Sequence, residues 1–256
     1  MRGDGMQAAM LPQTSFSRFA HRVSAALRAC QFTAPSAGEA RVIVFDSAPW
    51  WPLRDDAAGL LCAYEANRAA RFRHALDHDT YTVAHAFWRV ALGVVMNADP
   101  AEVELTRSPN GQPLLPGSGL ATSLSHSGTM VAVAIGRGTA IGVDIEGFPS
   151  RTSLHDIASV LCSRREAEAM SMLDVGARSR ALLELWTRKE AVLKAFGVGL
   201  RVPPSTIEVD AGSTIEPPVE AAGASACRVF PLAMPVSWLG SLALSCDIGG
   251  YSLHHV

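Results

Sequence analysis

The chain has 256 residues, 48% of them hydrophobic, with a formal net charge of −2. That is enough material for one large domain or two small ones, and it lacks the basic excess a general nucleic-acid binder needs. Five cysteines, none in a C-x-x-C pair, argue against a disulfide framework or a zinc site and for a reducing, cytoplasmic compartment. No apolar run reaches the ~18 residues of a membrane span.

From Met6 to Gly38 the chain carries no acidic residue, while Arg18, Arg22 and Arg28 are spaced among alanines and serines. That composition resembles a transit peptide, but residues 1–40 read first as a flexible extension, or as the product of an upstream start codon with Met6 or Met10 as the true start. Arg41 to Asp46 is a short β-branched run and predicts a strand. A helical region follows from about Asp55 to Met96, then a strand from Glu102 to Thr106 and a turn at Ser108-Pro109-Asn110-Gly111. Gly119 to Ser125 and Met130 to Ile135 read as two more strands. After residue 139 the order repeats. Ala140 to Ile145 is a strand, a helical region runs through Trp186 to Phe196, Thr206 to Val209 is a strand, and Leu242 to Cys246 closes the unit. Asp46 and Asp144 are separated by the same interval as Trp88 and Trp186. The expected fold class is α+β, a pseudo-two-fold tandem of similar halves at 41–139 and 140–256, with one site in the cleft between them.

The chemistry concentrates in two stretches. In Gly142-Val143-Asp144-Ile145-Glu146 the two acids share one face of a strand. In Trp186-Thr187-Arg188-Lys189-Glu190-Ala191-Val192-Leu193-Lys194, Glu190 and Lys194 lie one helical turn apart. Three carboxylates and an ammonium suit a hard divalent cation and the phosphates it carries. Taken singly, Asp-x-Glu reads as a solvated strand end and Glu190–Lys194 as a surface salt bridge. Ser123-Leu124-Ser125-His126-Ser127-Gly128 reads as a loop between strands with hydroxyls and backbone N–H groups for phosphate oxygens. Arg68 and Arg71 share a helix face as part of a basic cluster, and His74, His78 and His85 lack metal-ligand spacing.

These blocks, with Asn110-Gly111-Gln112-Pro113 and Leu161-Cys162-Ser163-Arg164-Arg165-Glu166, resemble the Sfp-type 4′-phosphopantetheinyl transferases from Arg41 to about Val209. The resemblance implies Mg²⁺-dependent transfer of phosphopantetheine from coenzyme A to a serine of an apo acyl or peptidyl carrier protein, releasing adenosine 3′,5′-bisphosphate, by a monomeric pseudo-dimer that needs neither nucleic acid nor membrane. It implies Asp144, Glu146 and Glu190 as metal ligands, Glu190 also as base, and Lys194 at the pyrophosphate. Ser125 and His126 become a phosphate loop, and Arg68 and Arg71 contacts near the 3′-phosphate. Gln112 departs from a usual lysine, and Thr80 from a common basic residue. A metal-dependent phosphodiesterase and a non-catalytic coenzyme A or carrier-binding module are the alternative readings.

Overall fold

A computed structural model describes residues 17–150, 157–210 and 212–256. Helix α1 is Arg18–Ala29, followed by strand β1, Glu39–Asp46. The expected helical region breaks into α2 (Arg54–Ala58), α3 (Ala63–Ala69) and the long α4 (Ala75–Met96). Then come β2 (Thr106–Arg107), β3 (Pro113–Leu114), β4 (Ala121–Ser127), β5 (Met130–Gly136) and β6 (Ile141–Gly147). Helices α5 (Ala158–Leu161), α6 (Arg164–Ser171) and α7 (Val175–Phe196) follow, with β7 (Thr214–Ile215), β8 (Cys227–Pro231), β9 (Trp238–Ser245) and β10 (Gly250–His255) to the end.

Two four-stranded sheets result, ordered β10-β1-β5-β4 and β6-β9-β8-β7. Alternation along the strands decides which core each residue joins. In β1, Ile43 and Phe45 pack with Trp88 and Phe87 of α4, while Ala40, Val42 and Val44 turn to a second layer. That layer also holds Ile141, Val143 and Ile145 of β6, so it lies between the two sheets. The opposite face of β6 meets α7. Gly142 sits there because a Cβ would run into the Ala191 carbonyl and the Ala195 amide.

The long helices have matching anatomy. Each is 22 residues long and ends in a left-handed cap, Asn97 after α4 and Gly197 after α7. Each carries one buried cation at the same distance from its cap. Arg89 Nε donates to Glu65 Oε2 at 2.6 Å, and Nη1 reaches the Pro100 and Val103 carbonyls. Lys189 Nζ donates to Glu166 Oε2 at 2.5 Å and to the Leu161 and Pro204 carbonyls at 2.8 and 2.9 Å. Both glutamates close capping boxes, at Cys62 and Ser163. Every donor of the Lys189 ammonium is used, as burial of a charge requires.

Several expectations change. Residues 1–16 lie outside the described residues, but residues 18–29 are a helix whose Phe19, Val23 and Leu27 enter the first core, not a flexible extension. The amphipathic spacing of those residues outweighs the basic, acid-free composition. Strand β10, from the expected second half, returns to pair parallel with β1 in the first sheet. Of Glu102 to Thr106 only Thr106 enters a ladder, and Thr206 to Val209 enters none. Pro203 and Pro204 start a 3₁₀ turn there instead. The equal spacing of Asp46 and Asp144 is not a structural equivalence, because Asp46 lies on the exposed end of β1 on the face opposite Ile43 and Phe45.

Candidate active site

The edges of the two sheets, β4 and β6, meet through a row of serines. Ser123, Ser125 and Ser127 share one face of β4 because side chains alternate. Ser123 Oγ accepts the Val143 N–H at 3.1 Å, and Ser125 Oγ accepts the Ile145 N–H at 3.3 Å. Ser125 Oγ donates to Asp144 Oδ1 at 2.9 Å, and Ser127 Oγ donates to Glu146 Oε2 at 2.7 Å. Side-chain hydroxyls thus satisfy the free side of an edge strand and aim its acids.

Helix α7 completes the group. Lys194 Nζ lies 2.7 Å from Asp144 Oδ1, 3.1 Å from the Val143 carbonyl and 3.2 Å from Ser125 Oγ. Among the described residues Lys194 pairs with the more buried Asp144 and not with Glu190, so the ordinary helix-face salt bridge does not form. Asp144 is only 5% exposed, and its Oδ2, like Glu190 Oε1, is buried without a partner. Burial, Asp144 and then Glu146 push the Glu190 carboxyl above the ordinary carboxylate range, against Lys194. Burial first, and Asp144 also, raise Glu146, which the Ser127 hydrogen bond opposes. The acids are therefore electrostatically one cluster.

Two orphaned carboxylate oxygens inside a cluster of like charges call for a cation. Among the described residues no group of three His, Cys, Asp or Glu side chains is arranged to hold a metal ion by itself. Lys194 holds one of the oxygens that would face it. The residues present nevertheless fit Mg²⁺, which takes one or two carboxylates and fills its remaining positions with water and phosphate.

Two cavities flank the cluster. One, of about 210 Å³, lies at the Lys194 end and is lined by His85, Trp88, Arg107, Gln112 and Leu193 among others. The second, of about 550 Å³, opens beside Glu146 and Ser127 between Phe148, Trp186 and Trp238.

Other expected residues fall elsewhere. Ser125 and His126 do not form a loop; both lie within β4, on opposite faces. His126 stands edge-on to Tyr81 of α4 at 6.4 Å. Its imidazole is lowered to about 4 by burial, and further by the charges of His85 and Lys194. Arg68 is exposed over Phe72, and Arg71 lies beyond the end of α3, so the two do not share a helix face. Thr80 is buried between Ser47 and the Gly128 carbonyl, and Gln112 Nε2 donates to the last carbonyls of α7, Lys194 and Ala195, at 3.2 and 3.1 Å. Ser127 was read only as one hydroxyl of a phosphate loop, although the alternate serines signalled a shared strand face toward Glu146. Arg107 and Trp238 carried no signal at all.

The site thus joins an acidic cluster, an ammonium beside it and a cavity at each end. The sequence model of the 4′-phosphopantetheinyl transferase superfamily matches residues 140–238, which contain all three acids and Lys194. The chain is 30% identical over 149 residues to the 4′-phosphopantetheinyl transferase HetI of Nostoc, covering 57% of this chain and 63% of that protein. It is 28% identical over 151 residues to a phosphopantetheinyl transferase of Thraustochytrium, covering 53% and 52%. It is 26% identical over 156 residues to the 4′-phosphopantetheinyl transferase of Bacillus subtilis, covering 60% and 68%. The match spans less than two thirds of the first two relatives.

Proposed function

We propose that this protein is an Sfp-type 4′-phosphopantetheinyl transferase, moving phosphopantetheine from coenzyme A to a serine of an apo acyl or peptidyl carrier protein. The observation that carries the reading is the pair of unpartnered, buried carboxylate oxygens on Asp144 and Glu190, beside Glu146 and Lys194. Asp144, Glu146 and Glu190 would hold Mg²⁺, which would neutralise the diphosphate and position it for attack.

The chain's own residues supply the rest. The nucleotide end of coenzyme A would take the cavity at Lys194, and the pantetheine and carrier serine the larger one at Glu146. Lys194 would offset charge gathering on the leaving bisphosphate. Glu190, its carboxyl raised by burial and by Asp144, is a stronger base than an exposed glutamate and would accept the serine proton. Exposed Arg68 and Arg71, with Ser125 and His126 of β4, would add contacts to the phosphates.

We also infer that the two halves descend from one duplicated unit. The matched cations Arg89 and Lys189, each bound to the third residue of a capping box, support this better than any sequence spacing. The active site would then be the cleft between the copies, one protomer would suffice, and the substrates would meet the enzyme in the cytoplasm.

The test is mass spectrometry of a panel of apo carrier proteins after incubation with this protein, coenzyme A and Mg²⁺. The expected result is one added phosphopantetheine on the carrier serine, with adenosine 3′,5′-bisphosphate released only when carrier is present. Bisphosphate released without carrier would mean a phosphodiesterase. Binding of coenzyme A with no product at all would mean a non-catalytic module.

A further inference from the structure

Strand β10 forms the edge of the first sheet opposite β4, away from the acidic cluster. Ser252 and His254 are two apart on it and share one face. Ser252 Oγ lies 2.9 Å from His254 Nε2, and His254 Nδ1 lies 3.0 Å from the Cys30 carbonyl oxygen. That carbonyl can only accept, so Nδ1 carries the imidazole hydrogen. In the neutral ring Nε2 is then an acceptor, and the Ser252 hydroxyl donates to it. Phe32 meets the imidazole edge-on at 5.6 Å and holds its orientation.

A nucleophile, a base and an orienting group thus stand within hydrogen-bond reach of one another. The Cys30 carbonyl is at the C-cap of α1, the negative end of a 12-residue helix. It can do what a carboxylate does in a three-residue relay, fixing the tautomer and favouring the imidazolium that forms when Nε2 takes a proton. Ser252 and His254 are half-buried and line a cavity of about 650 Å³ with Gln31, Thr33, Arg41 and Tyr251. Arg41 is paired with Glu39 of the same wall, so the cavity suits an uncharged substrate better than an ion. An edge strand also presents backbone N–H groups along its open side, which are donors for a developing oxyanion.

We propose that Ser252 and His254 form a second catalytic site that hydrolyses uncharged carboxylic esters. Ser252 Oγ attacks the ester carbonyl carbon as His254 Nε2 takes the hydroxyl proton. The Oγ–C bond forms, the bond from that carbon to the alcohol oxygen breaks, and Nε2 returns the proton to the leaving alcohol. Water then attacks the acyl-serine and passes a proton to Nε2. The carboxylic acid leaves as Ser252 Oγ takes that proton back. The sequence draws on neither the acidic cluster nor Lys194, so it stands independently of the transferase reading.

The experiment uses the full chain, with p-nitrophenyl acetate as the ester and a fluorophosphonate as the serine label. Wild type should release p-nitrophenolate with turnover, and peptide mass mapping should find the label on Ser252. Exposed Ser36 in the same digest should stay unlabelled, an internal control that needs no variant. Ser252→Ala should lose both the turnover and the label. His254→Gln should slow both roughly 10²- to 10⁴-fold, the usual worth of a general base. Circular dichroism checks the folding of the variants, and the wild-type mapping carries the test if either fails to fold. Hydrolysis no faster than in buffer, a label on serines other than Ser252, or equal rates in wild type and the folded variants would overturn the proposal. So would a single acetyl group that stays on the chain without turnover.

Discussion

Lys194 Nζ stands 2.7 Å from Asp144 Oδ1, while Oδ2 of the same buried carboxylate has no partner. One oxygen is neutralised from within the protein and the other is buried without a partner. The ammonium therefore serves as the resident counter-ion of three coupled carboxylates, and an added cation must share Asp144 with it.

Lys194→Met tests that sharing. Removing one partner of a largely buried pair costs up to about 3–5 kcal/mol. Lys194 is 30% exposed, so the loss here should be smaller, about 1–3 kcal/mol without metal. Added Mg²⁺ should then raise the melting temperature of the variant more than that of wild type. Identical Mg²⁺ responses in thermal melts would show that lysine and metal do not compete for this carboxylate.

Glu190→Gln separates stability from activity. Burial and the neighbouring acids raise the Glu190 carboxyl, so between the ordinary and the raised value the folded state holds a proton that the unfolded state has released. The associated stability is full below the ordinary carboxylate range and is lost as pH rises through the raised value. Without metal, the variant should therefore melt above wild type at about pH 8, and the gain should vanish near pH 4. Its single-turnover transfer rate should fall roughly 10²- to 10⁴-fold if Glu190 is the base. A variant that keeps the wild-type rate would move the base elsewhere.

His126 sets part of the acid limb. Its imidazole is held at about 4 in the fold by burial, His85 and Lys194, against about 6.5 unfolded. Between those values the unfolded chain binds more protons, so stability falls as pH drops from about 6.5 toward 4. His126→Gln should flatten this part of the melting-temperature profile. An unchanged slope would assign the acid sensitivity to other groups.

Gly142→Ala should be among the most damaging small substitutions. Its methyl would meet the Ala191 carbonyl and the Ala195 amide. Both are helix backbone and cannot rotate away, so the loss should reach about 3 kcal/mol, the upper end for overpacking. Gly147→Ala, whose methyl would meet only the Trp238 ring at 3.4 Å, is the matched control and should be nearly neutral. Urea midpoints of the two variants decide the point.

Much of the site could be read from local pattern. Period-two spacing puts Asp144 and Glu146 on one face of β6, and the turn of a helix puts Glu190 near Lys194. These follow from backbone geometry, which neighbouring residues determine. The α+β class and most strands near the site could be read for the same reason, because alternation and apolar runs are local signals.

The partners of those residues were a tertiary matter. Lys194 turns to Asp144 rather than to Glu190 because α7 packs tightly against β6 at Gly142. His126 parts from Ser125 because the Ser–His segment is an edge strand held by β6, not a loop. The chain's last strand joins the first sheet, and α1 enters the first core, through contacts between segments far apart in sequence. Arg107 gave no local sign of its place, and only the fold brings it to the wall of the cavity beside Lys194. The sequence by itself determined which chemistry the chain carries and on which faces. The tertiary structure decided which charges meet, because burial and ion pairing depend on long-range packing that no local pattern encodes.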